Sequence, residues 1–208
     1  MRTLAELKNK HEGQTCWVFG TGPSLDVIPL GEIAGPRIFI NRTAFVLPHS
    51  LGESYWFVMD NAWNSKKAGD WDSELKRLHN GKANMVGVFR NPSGKRKNKI
   101  KPPKRKNIVY WNASKMENGD VLKYTKDEIV EKNVLFSWSG SCASATHLAW
   151  FMGCSTVRYA GIDGTDGFAN LVKGQYDTVE NGAGGYVLSK KEALRVAKQL
   201  NMKVVDYS

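Results

Sequence analysis

The chain has 208 residues, 41% of them hydrophobic and 24% charged, and a formal net charge of +10. That length and composition suit one folded domain with its own core. They leave no apolar run long enough to cross a membrane. The N-terminus, Met1-Arg2-Thr3-Leu4-Ala5-Glu6-Leu7, lacks the apolar centre of a signal peptide. The three cysteines, Cys16, Cys142 and Cys154, fit no metal spacing, so a cytoplasmic protein with buried free thiols is expected.

The elements follow in order. Residues 3–10 read as a short lead-in helix and residues 15–20 as a first, apolar strand. After Pro23 a helix carrying Leu25, Ile28 and Leu30 is expected to end near Gly31 or Gly35. Residues 36–41 and 55–60 read as the next two strands, and 70–79 as a helix with Trp71, Leu75 and Leu78 on one stripe. Residues 84–89 form a fourth strand and 108–111 a short fifth. Between them, 90–107 is a basic, proline-interrupted loop inserted into the domain. The polar stretch 112–132 shows no clear period, and 133–136 suits a strand. An alanine-rich helix is expected over 141–152, with Gly153 as its stop, and a strand over 156–161. Ser189 and Glu192 make a capping box for a helix through Leu200, and 203–206 closes as a strand. Alternating strands and helices with continuous apolar strands predict a single α/β domain over 1–208. Its mostly parallel central sheet would be flanked by helices.

In such a sheet, ligands bind beyond the carboxyl ends of the strands. The first strand ends in Gly20-Thr21-Gly22-Pro23-Ser24, a glycine turn whose free amides would cup an anion, usually a phosphate. The motif lacks the third glycine of a dinucleotide fingerprint and the Lys-Ser/Thr of a P-loop. Asn41 and Asp60-Asn61 stand at the next two strand ends, and Asp163 follows Gly161-Ile162. A phosphate cup, two asparagines for a base or ribose edge and a carboxylate near a sugar hydroxyl together make a nucleotide site. Asp163 and Asp166, three residues apart in a glycine-rich loop, suit a general base or an Mg²⁺ ligand pair. The glycine-rich 182–186 segment before the last helix reads as a lid, with Tyr176 in the same region. Cys142, at a helix start, would have its pKa lowered by the dipole.

Arg90, Lys95, Arg96, Lys97, Lys99, Lys101, Lys104, Arg105 and Lys106 carry nearly all of the net charge, with no acid among them. Such a stripe suits a polyanion, nucleic acid first, and Tyr110 and Trp111 just after it would stack on bases.

Gly20-Thr21-Gly22-Pro23-Ser24-Leu25 resembles the Gly-x-Gly-Pro-Ser-Leu opening of bacterial lipooligosaccharide sialyltransferases and of their motility-accessory-factor, 6-hydroxymethylpterin-pyrophosphokinase-like relatives. Asn41 and Asn61 fall where that group has strand-end asparagines. Ser139-Gly140-Ser141, the alanine-rich helix and Gly161-Ile162-Asp163 resemble its Ser-Gly, helix, Gly-Ile-Asp module. The resemblance implies a Rossmann-like, GT-A-like fold. It places a nucleotide phosphate over Gly20 to Ser24, base and ribose near Asn41 and Asn61, and Ser139, Gly140 and Ser141 beside the sugar or phosphate. The sialyltransferases carry a catalytic histidine shortly before the last helix. Here the matching stretch, 182–187, has none, which leaves Tyr186, Asp163 or Asp166 to supply the polar groups.

Together these features point to a glycosyltransferase-like enzyme that moves a sugar from a nucleotide-activated donor to a polyanionic acceptor, such as DNA carrying a hydroxylated base. A nucleic-acid-modifying enzyme of this size would suit a phage or another mobile element. Two alternatives remain: an ATP- and Mg²⁺-dependent pyrophosphokinase-like enzyme acting on a small acceptor, and a non-catalytic nucleic-acid-binding protein.

Overall fold

A computed structural model describes residues 3–28, 33–45, 53–59, 85–90, 107–115, 120–137, 140–165, 167–170 and 184–207. Among them, eight short strands form one sheet. They are β1 (Thr15–Phe19), β2 (Arg37–Ile40), β3 (Ser54–Val58), β4 (Met85–Arg90), β5 (Ile108–Lys115), β6 (Val134–Ser137), β7 (Thr156–Ala160) and β8 (Lys203–Asp206). The order is β6-β5-β4-β3-β2-β1-β7-β8, and every pairing is parallel. Parallel strands are covered on both faces, which is why β1, β2 and β3 read as unbroken apolar runs.

Alternation along each strand separates two cores. One face carries Cys16 and Val18, Ile38 and Ile40, Tyr55 and Phe57, Val86 and Val88, Val109 and Trp111, and Val157 and Tyr159. Three helices supply its cover: α1 (Lys126–Lys132), α2 (Ser141–Phe151) and α3 (Gly184–Gln199). The other face is aromatic. Trp17, Phe19, Phe39, Trp56, Phe89 and Tyr110 lie there with Leu25, Ile28, Ala44 and Ala169 packed on them. Trp17 stacks on Phe19 at 5.6 Å, and Phe19 on Phe39 at 5.2 Å.

Nine of the eleven residues of α2 are buried. A helix buried on nearly every side needs small residues to let its neighbours approach, and its alanines meet that need. The 112–132 stretch, which has no clear period, resolves into the second half of β5 and then α1. The start of α1 is fixed by a capping box in which Thr125 Oγ1 accepts Glu128 N–H at 3.3 Å.

Three elements differ from the sequence expectation. The segment after Pro23 is a 3₁₀ helix over Pro23–Val27, not an α-helix reaching toward Gly31. The lead-in is a 3₁₀ turn, Leu4–Glu6. The last helix begins at Gly184, so part of the expected glycine-rich lid is its first turn. The expected helix at 70–79, the bulk of the basic loop and Tyr176 lie outside the described residues.

Candidate active site

The direction in which successive strands are added to the sheet reverses at one place. From β1 the strands step to β2 and on to β6, while β7 and β8 lie on the other side of β1. The carboxyl ends of β1 and β7 therefore mark the switch point, where open α/β sheets take their ligands. Because every pairing is parallel, the ends of β2, β4 and β5 open on the same rim.

The β1 and β7 turns are tied together closely. Gly20 N–H donates to Ala160 O and Gly22 N–H to Gly161 O, both at 2.8 Å. Gly161 N–H donates to Ser24 Oγ at 2.8 Å, and Ser24 N–H to Asp163 Oδ1 at 3.1 Å. Leu25 N–H returns to Gly22 O at 3.1 Å, and Thr21 O accepts Ala169 N–H at 3.0 Å. A Cβ on Gly22 would overlap the Asp163 carboxylate, and one on Gly20 would overlap Gly161 O.

This geometry corrects the expected open phosphate cup. The Gly-x-Gly spacing permits close approach of the β7 turn, and the anion held at the turn is the protein's own Asp163 carboxylate. Of the amides from Gly20 to Leu25 that can donate, only that of Thr21 has no acceptor among the described residues. Asp163 itself is half engaged. Its Oδ1 is taken by Ser24 N–H, while its Oδ2 is closed off from solvent with no hydrogen-bond partner. A buried carboxylate oxygen without a donor is costly and calls for a ligand or water to complete it.

Asn41 shows the same pattern one strand over. It follows β2 with φ +53°, a left-handed conformation that asparagine tolerates better than most residues. Its carbonyl accepts Trp56 Nε1–H at 2.6 Å, and its side-chain Oδ1 is buried without a partner. Thr43, two residues on and fully buried, has an unpartnered Oγ1. Beyond the β7 turn, Lys190 of α3 pairs with Asp206 of β8 at 2.9 Å, and the Lys190 side chain packs beside Gly164.

Other expected residues resolve differently. Gly140 caps α2 with no side-chain hydrogen bond, and Ser141 opens that helix. Tyr186 lies within α3, with only its backbone described. Asp60, Asn61, Ser139, Asp166 and the cations Lys95, Arg96, Lys97, Lys99, Lys101, Lys104, Arg105 and Lys106 lie outside the described residues. Tyr110 and Trp111 are core residues, 8% and 0% exposed, and cannot stack on bases from the surface. Burial, with the Asp206 charge beside it, pushes the Cys142 thiol up rather than down, so it is no activated nucleophile. All three cysteines are buried and free.

Neither described histidine reaches the rim. His11 lies at the amino edge, its Nε2 2.7 Å from Tyr55 Oη and 3.2 Å from Glu53 Oε2. His147 is buried in α2 against Phe136, and burial pushes its pKa down to about 3. Among the described residues no cluster of His, Cys, Asp and Glu is arranged to hold a metal, and no helix is long and apolar enough to cross a membrane.

An all-parallel sheet of eight strands flanked by helices is a Rossmann-like, GT-A-like α/β fold. The chain is similar to the solved structure of the sialyltransferase CstII from Campylobacter jejuni in complex with the substrate analogue CMP-3FNeuAc. That likeness has a TM-score of 0.50 and 14% identity, covering 93% of this chain and 80% of that one. It extends the resemblance from short motifs to the whole fold. No family model and no curated protein matches.

Proposed function

We propose that the protein is a glycosyltransferase-like enzyme that binds a nucleotide-activated sugar along the carboxyl rim of its sheet. The observation that carries this reading is the pair of buried, unpartnered side-chain oxygens at the rim, Asn41 Oδ1 and Asp163 Oδ2, on either side of the β1 turn. A ligand rich in hydroxyl and amino donors would complete them, and a nucleotide sugar is such a ligand. Gly20 to Ser24 would form the floor, with Thr21 N–H as its free donor. Asp60, Asn61 and Ser139 to Ser141 would line the remaining edge. Asp163 is the carboxylate proposed to meet a sugar or acceptor hydroxyl, once its Oδ2, packed against Gly22, turns toward the rim. Asp166 and Tyr186 are the further polar groups proposed for the reaction in place of a histidine.

The acceptor we assign is a polyanion held by the basic segment over 90–107. DNA carrying a hydroxylated base is the first to test, because that segment concentrates the charge of an otherwise nearly neutral chain. Incubation with CMP-, UDP- and GDP-sugars and hydroxylated DNA should release free nucleotide, and Asp163→Asn should reduce that release by about 100-fold or more while DNA retention is unchanged. Absence of release with every donor and acceptor, from protein that still retains DNA, would favour a binding protein without this chemistry.

A further inference from the structure

The rim carries a second, chemically opposite pair of unsatisfied groups. Arg90, the last residue of β4, has an Nε closed off from solvent with no hydrogen-bond acceptor. Trp111 of β5 is fully buried and its indole Nε1–H has no acceptor either. The two residues are direct register partners in the parallel pairing of β4 and β5. Their backbones are therefore about 4.8 Å apart, and their side chains stand on the same face. Alternation puts Arg90 on the face of Val86 and Val88, where Trp111 stacks on Phe57 at 5.6 Å.

The N-terminus of α2 covers the same level of that face. Val58 pairs with Phe89, so Met59 and Arg90 are level at the ends of β3 and β4. Ser144, in the first turns of α2, donates through Oγ to Met59 Sδ at 3.2 Å. An eleven-residue helix thus begins above the end of β3, its N-cap Gly140 offering no side-chain acceptor and packing against Ser189 of α3. Its first amides have no intrahelical partner, and the helix dipole adds positive potential there.

We infer that Arg90, Trp111 and the first turn of α2 form a seat for an oxyanion, and that this oxyanion is the phosphate of the nucleotide donor. The second part rests on the glycosyltransferase-like reading; the first does not. The rim then has a polarity. Its oxygen acceptors, Asn41 and Asp163, lie at β2 and β7, and its donors lie at β4 and β5. Neighbouring strands are about 4.8 Å apart, so β2 and β4 are separated by about 10 Å, a span a nucleotide bridges with its base or ribose at one end and its phosphate at the other. Arg90, the first cation of the basic segment, accordingly also belongs to the nucleotide site. A guanidinium hydrogen-bonds phosphate oxygens in a fixed fork, and a buried indole N–H is a donor that water cannot satisfy.

The test is the Trp111 indole N–H resonance in the full-length protein, assigned with Trp111→Phe. Inorganic pyrophosphate, CMP and cytidine are titrated separately, with the same series for UMP and uridine. Pyrophosphate and the nucleotides should shift this resonance, and the nucleosides should not. Arg90→Gln should weaken pyrophosphate and nucleotide binding at least about tenfold while leaving nucleoside binding within about twofold. Trp111→Phe keeps an aromatic ring but removes the indole N–H, and should weaken the same ligands about threefold or more. If pyrophosphate binds here but no nucleotide does, the anion seat stands and the nucleotide-sugar reading falls. If nucleotides bind without moving the indole resonance and are indifferent to both substitutions, the seat is overturned and the nucleotide reading survives.

Discussion

Gly22 and Asp163 settle how the rim is built. The glycine leaves room for a carboxylate that would otherwise collide with a Cβ, and the carboxylate fastens Ser24 N–H. Gly22→Ala should therefore cost about 1–3 kcal/mol in urea unfolding. The cost should be markedly smaller in an Asp163→Ala background, where the colliding group is gone. Equal costs in both backgrounds would separate the two residues. The need for glycine was legible in the sequence, but its cause was not. Gly-x-Gly reports close approach without saying what approaches, and here the β7 turn does so from more than 130 positions away. The buried histidines give a pH signature. His147, pushed down to about 3, and His11, lowered mainly by burial, have folded values below the ordinary 6.5. The unfolded chain then takes up the extra protons, so stability is full above about pH 6.5 and falls as the pH drops. For His147 the loss approaches about 1.4 kcal/mol per pH unit, within a window from 6.5 down to about 3. The Tm should fall between pH 7.5 and pH 5, and less steeply in His147→Leu. A Tm flat over that range would contradict the assignment of a neutral core imidazole.

At the scale of elements, the strands were the most legible because burial on both faces writes them as unbroken apolar runs. The Ala-rich helix α2 was equally plain, and its composition reflects close packing between the sheet and α3 rather than helix propensity alone. Ala149 is fully buried in it. Enlarging it with Ala149→Leu should cost about 1–3 kcal/mol by denaturant titration, and a neutral result would mean that α2 sits more loosely than described. The 3₁₀ segment Pro23–Val27 was misread as an α-helix, although Pro23 at its start was consistent with either. What the sequence pattern missed is that the tie of Ser24 to Gly161 and Asp163 holds this segment down before a longer helix develops. The first turn of α3 was missed because Gly184 and Gly185 carry little helix propensity, and the capping box at Ser189 pointed to a later start. Arg90 illustrates a different limit. Within a run of cations it reads as one charge of a polyanion arm, and composition does not show that it also stands at the rim as the last residue of β4.

For the whole molecule, strand order decides where chemistry can occur. Eight parallel strands deliver every carboxyl end to one edge, and the strand order switches direction between β1 and β7 there. The parallel fold followed from alternating elements, while strand order came only with pairing, because periodicity carries no information about which strand lies beside which. The histidine–tyrosine–glutamate cluster at the amino edge belongs to the opposite end of the same sheet and serves as packing. Amide chemical-shift mapping with CMP, UDP, GDP and ADP addresses this division directly. At least one nucleotide should perturb the amides of Thr21, Asn41 and Asp163 at the carboxyl rim and leave those of His11, Gly13 and Ser155 at the amino edge unmoved. Perturbation confined to the amino edge, or none with any of the four, would contradict a nucleotide site on this rim.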